Sequence, residues 1–338
     1  MISRTQALYF LVLFIFFVVI FLFSAATGTV AMEFRELIDA IIKPGQQNLA
    51  GILVWEIRIP RFLMAFLCGG TLALCGQMLQ LLVRNPLADP YTLGTASGAA
   101  LGINLALLGF LPPILTSVFI LPFWAFAGAF LAGLAVLLFS GSGKGNQDGK
   151  LLLAGIAVSI LANSVISFLT FFFARGNELR QMVFWAFGSL DKAGWPGLLS
   201  ISALMLPVLI FTIAGSRTWN LMLLGKEKTM SLGLKPVHIS RMVLLSTSFL
   251  TACVVSQAGP VGFVGLVVPY CMRQIFPIGQ PYYLLNTFFA GAIFLSFCDL
   301  LSRMAPFPSG LPVGLITSLV GLPVFLYLLQ NSGRRSAF

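Results

Sequence analysis

The chain has 338 residues, of which 58% are hydrophobic and 9% charged, and its mean hydropathy is +0.98. A soluble globule of that composition would leave far too much apolar surface in water, so a soluble protein is excluded and an integral membrane protein is required. Twenty Lys and Arg against ten Asp and Glu leave a formal charge of +10, which in so apolar a chain reads as membrane topology, with nucleic-acid binding a poor second explanation.

A bilayer core about 30 Å thick needs roughly 20 apolar residues for each helical crossing. About ten segments qualify: 8–26, 62–83, 93–110, 114–139, 151–174, 198–213, 241–255, 261–272, 282–302 and 311–329. The first follows Arg4 and ends on Ala25-Ala26, which could be cut, the outline of a cleavable signal. It is longer than a usual signal core and rich in Phe, so a retained helix is expected. The eighth is too short to cross alone and is interrupted by Gly and Pro. With the amino terminus inside, the inner segments carry twelve basic and three acidic residues, and the outer segments eight and seven. That asymmetry runs in the direction the positive-inside rule expects. The expected fold class is an all-α integral membrane protein, one transmembrane domain over 1–338.

Between the second and third spans, Asn85-Pro86 and Asp89-Pro90 bias the residues before each proline away from helix and stiffen the turn. Gly94, Gly98 and Gly102 recur every four residues along the third span, a small-residue stripe that suits close helix packing or a path lining. Gly259, Gly262 and Gly265, followed by Pro269, shorten the eighth. The longest inner polar stretch is 216–240, where Gly233 is placed to end one short helix and Pro236 to open a second. Asp299 lies four residues before Arg303, the spacing of an ordinary helical ion pair near the outer surface.

Catalytic chemistry is poorly provided for. His238 is the only histidine, which removes a histidine triad and a multi-histidine metal site. The five cysteines (Cys68, Cys75, Cys253, Cys271, Cys298) have no C-x-x-C spacing and suit apolar packing. No phosphate-binding loop occurs, since Gly149-Lys150 is followed by Leu151 and Lys144 stands where the first glycine is needed. Asp299 is the one acidic candidate well within a late span, so the coupling energy points to a partner.

The stretches Arg58-Ile-Pro-Arg61, Asn85-Pro-Leu-Ala-Asp-Pro90, Leu93-Gly-Thr-Ala-Ser-Gly98, Leu151-Leu-Leu-Ala-Gly155, Trp185-Ala-Phe-Gly-Ser189, Gly259-Pro-Val-Gly-Phe-Val-Gly-Leu-Val-Val-Pro269 and Leu311-Pro-Val-Gly314 stand along most of the chain. Together they resemble the iron-siderophore, haem and cobalamin permeases of the type II ABC importers, the FecCD-type family. The resemblance implies a ten-helix permease built from two structural repeats, spans two to five and seven to ten, in the bacterial inner membrane. It implies a dimer, expected to be of identical subunits, with two ATP-binding subunits and a periplasmic binding protein as further partners. ATP and Mg would reside on the partners, with no cofactor on this chain and no enzymatic activity of its own. The implied cargo is a ferric siderophore or similar metal chelate, the alternatives being haem or cobalamin; a reading from a different class is an ion-coupled secondary transporter.

Site roles follow from the same resemblance. Arg58, Arg61 and Arg303 would receive carboxylates of the binding protein, since a guanidinium holds a carboxylate by two hydrogen bonds; the alternative is snorkelling at the membrane interface. Within 216–240, Arg217, Lys226, Lys228, Met230, Leu232, Gly233, Leu234, Lys235 and Pro236 would couple to the ATPase, the alternative being a basic loop on anionic headgroups. Asp148 and Gly149 stand at the inner gate, where the cobalamin member has small hydroxylated residues. Tyr270 and Gly310 also depart from the family pattern, where many relatives have His and Glu.

Overall fold

Each of the ten apolar segments is helical in the computed structural model, which describes residues 4–27, 34–42, 49–110, 120–140, 147–173, 185–221, 226–276, 282–304 and 311–332. The spanning helices are α1 (Arg4–Ala26), α4 (Ile59–Val83), α5 (Thr95–Leu107), α6 (Leu121–Ser140), α7 (Gln147–Phe173), α8 (Trp195–Ala214), α11 (Pro236–Ala258), α12 (Val264–Ile275), α13 (Tyr283–Met304) and α14 (Val313–Ser332). Short helices fill the connections: α2 (Phe34–Ile42), α3 (Leu49–Ile52), α9 (Ser216–Asn220) and α10 (Lys226–Ser231). Among the described residues six helical stretches are long and apolar enough to cross a membrane, and no strand occurs.

Two sequence expectations are corrected. The second span does not start near residue 62: α3 runs through a π-helical turn, Leu53–Arg58, into α4 as one 35-residue rod. The eighth segment is not broken at Pro269, which lies inside α12. The break falls earlier, between Gly259 (φ +65) and Phe263 (φ +68). Proline in a helix frees a carbonyl one turn back, here that of Gly265, which accepts a hydrogen bond from Gln80 Nε2 at 3.1 Å.

The interior is closed by glycines. A Cβ on Gly69 would meet the Gly291 carbonyl and Leu295 Cβ, and one on Gly291 would meet Ala73 Cβ and Gly69 in return. Only hydrogen at both positions lets α4 and α13 touch backbone to backbone, the geometry that substitutes for a hydrophobic driving force in lipid. Gly76 closes on Gly265 of α12 in the same way, and Gln80 Nε2 donates to the Gly265 carbonyl at 3.1 Å. On the other side of the bundle, Gly98 and Gly102 of α5 close on Gly128 and Trp124 of α6.

The packing has a two-fold pattern. α4 packs on α13 as α11 packs on α6, and α4 on α12 as α11 on α5. α5 contacts α6 and α7 as α12 contacts α13 and α14. α5 and α12 also start alike, each preceded by a left-handed residue, Gly94 (φ +78) and Phe263 (φ +68). The four helices α4–α7 and the four helices α11–α14 are thus two copies of one arrangement. Four crossings, α5 to α8, lie between α4 and α11, so α4 and α11 run in opposite senses and the copies are inverted across the membrane.

Candidate functional site

At the outer end, the turns of α1, α4, α13 and the loop before α8 converge on a charge network. Asp299, with 1% of its side chain exposed, receives Arg61 Nε on Oδ1 at 2.9 Å and faces Arg303 Nε from Oδ2 at 3.1 Å. Arg61 also reaches Asp191, whose Oδ1 lies 2.7 Å from Nη1 and whose side chain is 46% exposed. Ser189 Oγ donates to the other Asp191 oxygen at 2.8 Å. Arg58 Nη1 donates to the carbonyls of Ala25 and Ala26, and Arg303 donates to those of Ser24 and Thr27 and to Ser24 Oγ. The last turn of α1, whose carbonyls have no helical partners, is therefore capped by two guanidinium groups.

This network corrects the reading of Asp299 and Arg303 as an ordinary surface pair. The i,i+4 contact exists, but the carboxylate is buried and shared with a helix 238 residues away in sequence. The three arginines expected to receive carboxylates of the binding protein lie at the same end of the bundle. Arg58 is nevertheless 5% exposed and spent on carbonyl groups, which leaves Arg61 and Asp191 as the members that reach the surface. Asp191 was not found by sequence reasoning, since nothing local pairs it with an arginine 130 residues away.

At the inner end, α10 closes with a Schellman motif. Leu234 N–H donates to the Thr229 carbonyl and Gly233 N–H to that of Met230, with Gly233 left-handed at φ +78. Gly233 thus ends a short helix as its sequence position suggested. Pro236 opens no second short cytoplasmic helix, because it is the first residue of α11, which continues to Ala258. The turn leaves Met230 62% and Leu232 56% exposed, beside exposed Lys228 and Lys235, while Leu234 packs on the bundle. Trp219 of α9 anchors the element: its indole N–H donates to the Thr212 carbonyl at 2.7 Å and its ring covers Gly215. The Arg217, Lys226 and Pro236 side chains lie outside the described residues.

A charged outer collar, an apolar protrusion on the inner face and a repeat-built helical bundle can be set beside known proteins. The family model of the FecCD transport family matches residues 15–331. The chain belongs to the FecCD family. It is 37% identical over 333 residues to the hemin transport system permease protein HmuU of Yersinia pestis, covering 95% of this chain and 96% of that one. The vitamin B12 import system permease protein BtuC of Salmonella newport is 34% identical over 286 residues, covering 84% and 85%. Among solved structures, an inward-facing metal-chelate type ABC transporter superposes with a TM-score of 0.82 at 27% identity, covering 96% of this chain and 99% of that one. The fold is that of a type II ABC importer permease, and this FecCD chain is a multi-pass transport subunit.

In this FecCD chain the Asn-Pro…Asp-Pro turn is built around Asp89, 2% exposed. Asp89 Oδ1 accepts the backbone N–H groups of Tyr91 at 3.1 Å and Thr92 at 2.7 Å. Burial pushes the carboxyl up to about 6, against the opposing pull of its bonds to Thr92 and Tyr91. The folded chain then keeps the Asp89 proton to about pH 6 while an unfolded one releases it near pH 4, so stability should decline as pH rises through that window and level off above it. Asp89→Asn, which retains the acceptor, should flatten that decline. Asp89→Ala should cost about 1–3 kcal/mol for each orphaned N–H. Thermal unfolding in detergent from pH 4 to 7 measures both.

The remaining sequence candidates fall into place as packing or as positions on α7. Gly98, Gly102 and Gly265 are packing residues, Gly94 caps α5 against Gly155 and Val158 of α7, and Gly259 turns the chain beneath Trp185. A Cβ on Gly262 would meet nothing within 4 Å. Asp148 and Gly149 lie in the first turn of α7, the Asp148 side chain falling outside the described residues, as does Gly310. Tyr270 is buried, its ring edge-on to Phe325 at 6.4 Å. The cysteines are free, four of them buried and Cys271 half-buried.

Proposed function

We propose that this subunit carries a bulky metal chelate across the bacterial inner membrane, working with a second permease copy, two ATP-hydrolysing subunits and an external binding protein. The observation that carries the reading is similarity along 95% of the chain to a permease named for hemin transport, together with the superposition on a metal-chelate type transporter. Ferric siderophore, haem and cobalamin are the cargoes to compare, haem first on the strength of that relative. An ion-coupled carrier fits less well, because the carboxylate in the late span, Asp299, is already held between two arginines. In the proposed assembly Arg61 at the outer rim, held by Asp299 and Asp191, meets carboxylates of the binding protein, with Arg58 and Arg303 tying the last turn of α1 beside it. Asp148 and Gly149 stand at the inner gate, and Met230 and Leu232, oriented by Lys228 and Lys235, seat in the ATPase.

Proteoliposomes holding the permease and its ATPase should accumulate the cargo when ATP and the binding protein are both supplied. Uphill uptake by the permease alone on a proton or sodium gradient would refute the reading. Within that assay Met230→Glu with Leu232→Glu should lower ATP-driven uptake by about tenfold or more, since each places an uncompensated charge in an apolar contact. Unfolding temperature should stay unchanged, because both side chains face solvent in the isolated subunit.

A further inference from the structure

Arg61 is shared between a buried carboxylate and an exposed one, and the sharing sets what it can still bind. A guanidinium offers its donors in forks, Nε with Nη2 and Nη1 with Nη2, and it grips a carboxylate by two hydrogen bonds only through a whole fork. In Arg61 both forks are half taken. Nε donates to Asp299 Oδ1 at 2.9 Å, and Nη1 donates to Asp191 Oδ1 at 2.7 Å. A carboxylate arriving from outside gains a fork only by displacing one of the two.

The two are unequal in what displacement costs. Asp299 is buried and also faces Arg303, so parting it from Arg61 strands charge in the interior. Asp191 is half-exposed, so water replaces the arginine and the pair is cheap to open. Asp299 therefore keeps the guanidinium aimed while Asp191 gives way. The backbone at Asp191 is held without help from Arg61. Its N–H donates to Ser189 Oγ at 3.1 Å, and that hydroxyl donates back to Asp191 Oδ2 at 2.8 Å. Ser189 N–H in turn donates to the Ala258 carbonyl at 2.9 Å. A released Asp191 carboxylate thus stays beside Arg61 at the high effective concentration of a tethered group.

We infer that Asp191 is a built-in competitor on the docking surface: it occupies Arg61 in the free subunit, yields it to a carboxylate of an acidic partner protein, and retakes it as that partner leaves. The inference rests on the proposed docking of the external binding protein at Arg61 and adds the internal contact that docking has to undo. Asp191 lowers the affinity of the complex and speeds its dissociation, because a tethered rival closes on Arg61 whenever the partner's grip opens.

The test measures binding of the external binding protein of the uptake assay to the full transporter in nanodiscs, with the kinetics followed by biolayer interferometry. Asp191→Asn keeps the size of the side chain and an acceptor for Ser189 while removing the charge that holds Arg61. It should raise affinity about two- to fivefold, mostly through slower dissociation. Glu56→Gln removes the same charge from an exposed position five residues before Arg61, and at about 0.15 M salt it should change affinity far less. In an Arg61→Gln background, where Asp299 keeps Arg303 as its partner, Asp191→Asn should have no effect on affinity. Unchanged or weaker binding by Asp191→Asn, an equal gain from Glu56→Gln, or the same gain without Arg61 each overturns the inference while leaving docking at Arg61 intact. Unchanged affinity in Arg61→Gln by itself removes the docking assignment and the inference with it.

Discussion

Asp299→Ala is expected to cost about 3–5 kcal/mol of stability, the largest loss from any single charge in the chain. The reason is the shape of the network. Asp299 is buried and is shared by Arg61 and Arg303, so its removal leaves two guanidinium groups at the outer ends of α4 and α13 with only the half-exposed Asp191, on Arg61, as countercharge among the described residues. Asp191→Ala, which removes the other partner of Arg61, should cost only about 0–1 kcal/mol, because that carboxylate is 46% exposed and solvent replaces it. The pair of variants separates burial from charge count. Thermal unfolding in detergent gives the comparison, and equal losses for the two would show that the buried network does not hold the outer end together.

Gly76→Ala should be the second severe change, about 1–3 kcal/mol for a single methyl group, with Gly76→Leu worse. A Cβ at Gly76 would meet the Gly265 carbonyl and lie 2.5 Å from Gly265 Cα. Backbone cannot rotate aside as a side chain can, so α4 and α12 must separate, and the hydrogen bond from Gln80 to the same carbonyl is strained with them. Gly262→Ala is the matched control, expected within about 0.5 kcal/mol of the parent, since nothing lies within 4 Å of its Cβ position. Folded yield and unfolding temperature read both.

What could be read in advance follows from the range of the interactions. The spans were visible because each is a local excess of apolar residues, and all ten segments hold helices, most with ends displaced by a few residues and the second extended back to Leu49. Gly233 was legible as a helix stop because left-handed backbone is a one-residue property. Pro236 was misread as the start of a separate short helix because nothing local tells a first turn in water from the first turn of a span. Gly98 and Gly102 announced close packing by their spacing, but not that α6 would be the partner. Asp299 and Arg303 were paired correctly and valued wrongly, since four-residue spacing reveals a neighbour and says nothing of burial.

By itself the sequence determined that this protein lives in a membrane, roughly where it crosses and which family it joins, because hydropathy and short motifs are properties of contiguous residues. Only the tertiary structure decided that one buried carboxylate serves two arginines, that Gly76 meets Gly265, and that Asp191 reaches Arg61 from 130 residues away. Those arrangements join residues distant along the chain, and the order of a sequence carries no direct record of which helix ends up beside which.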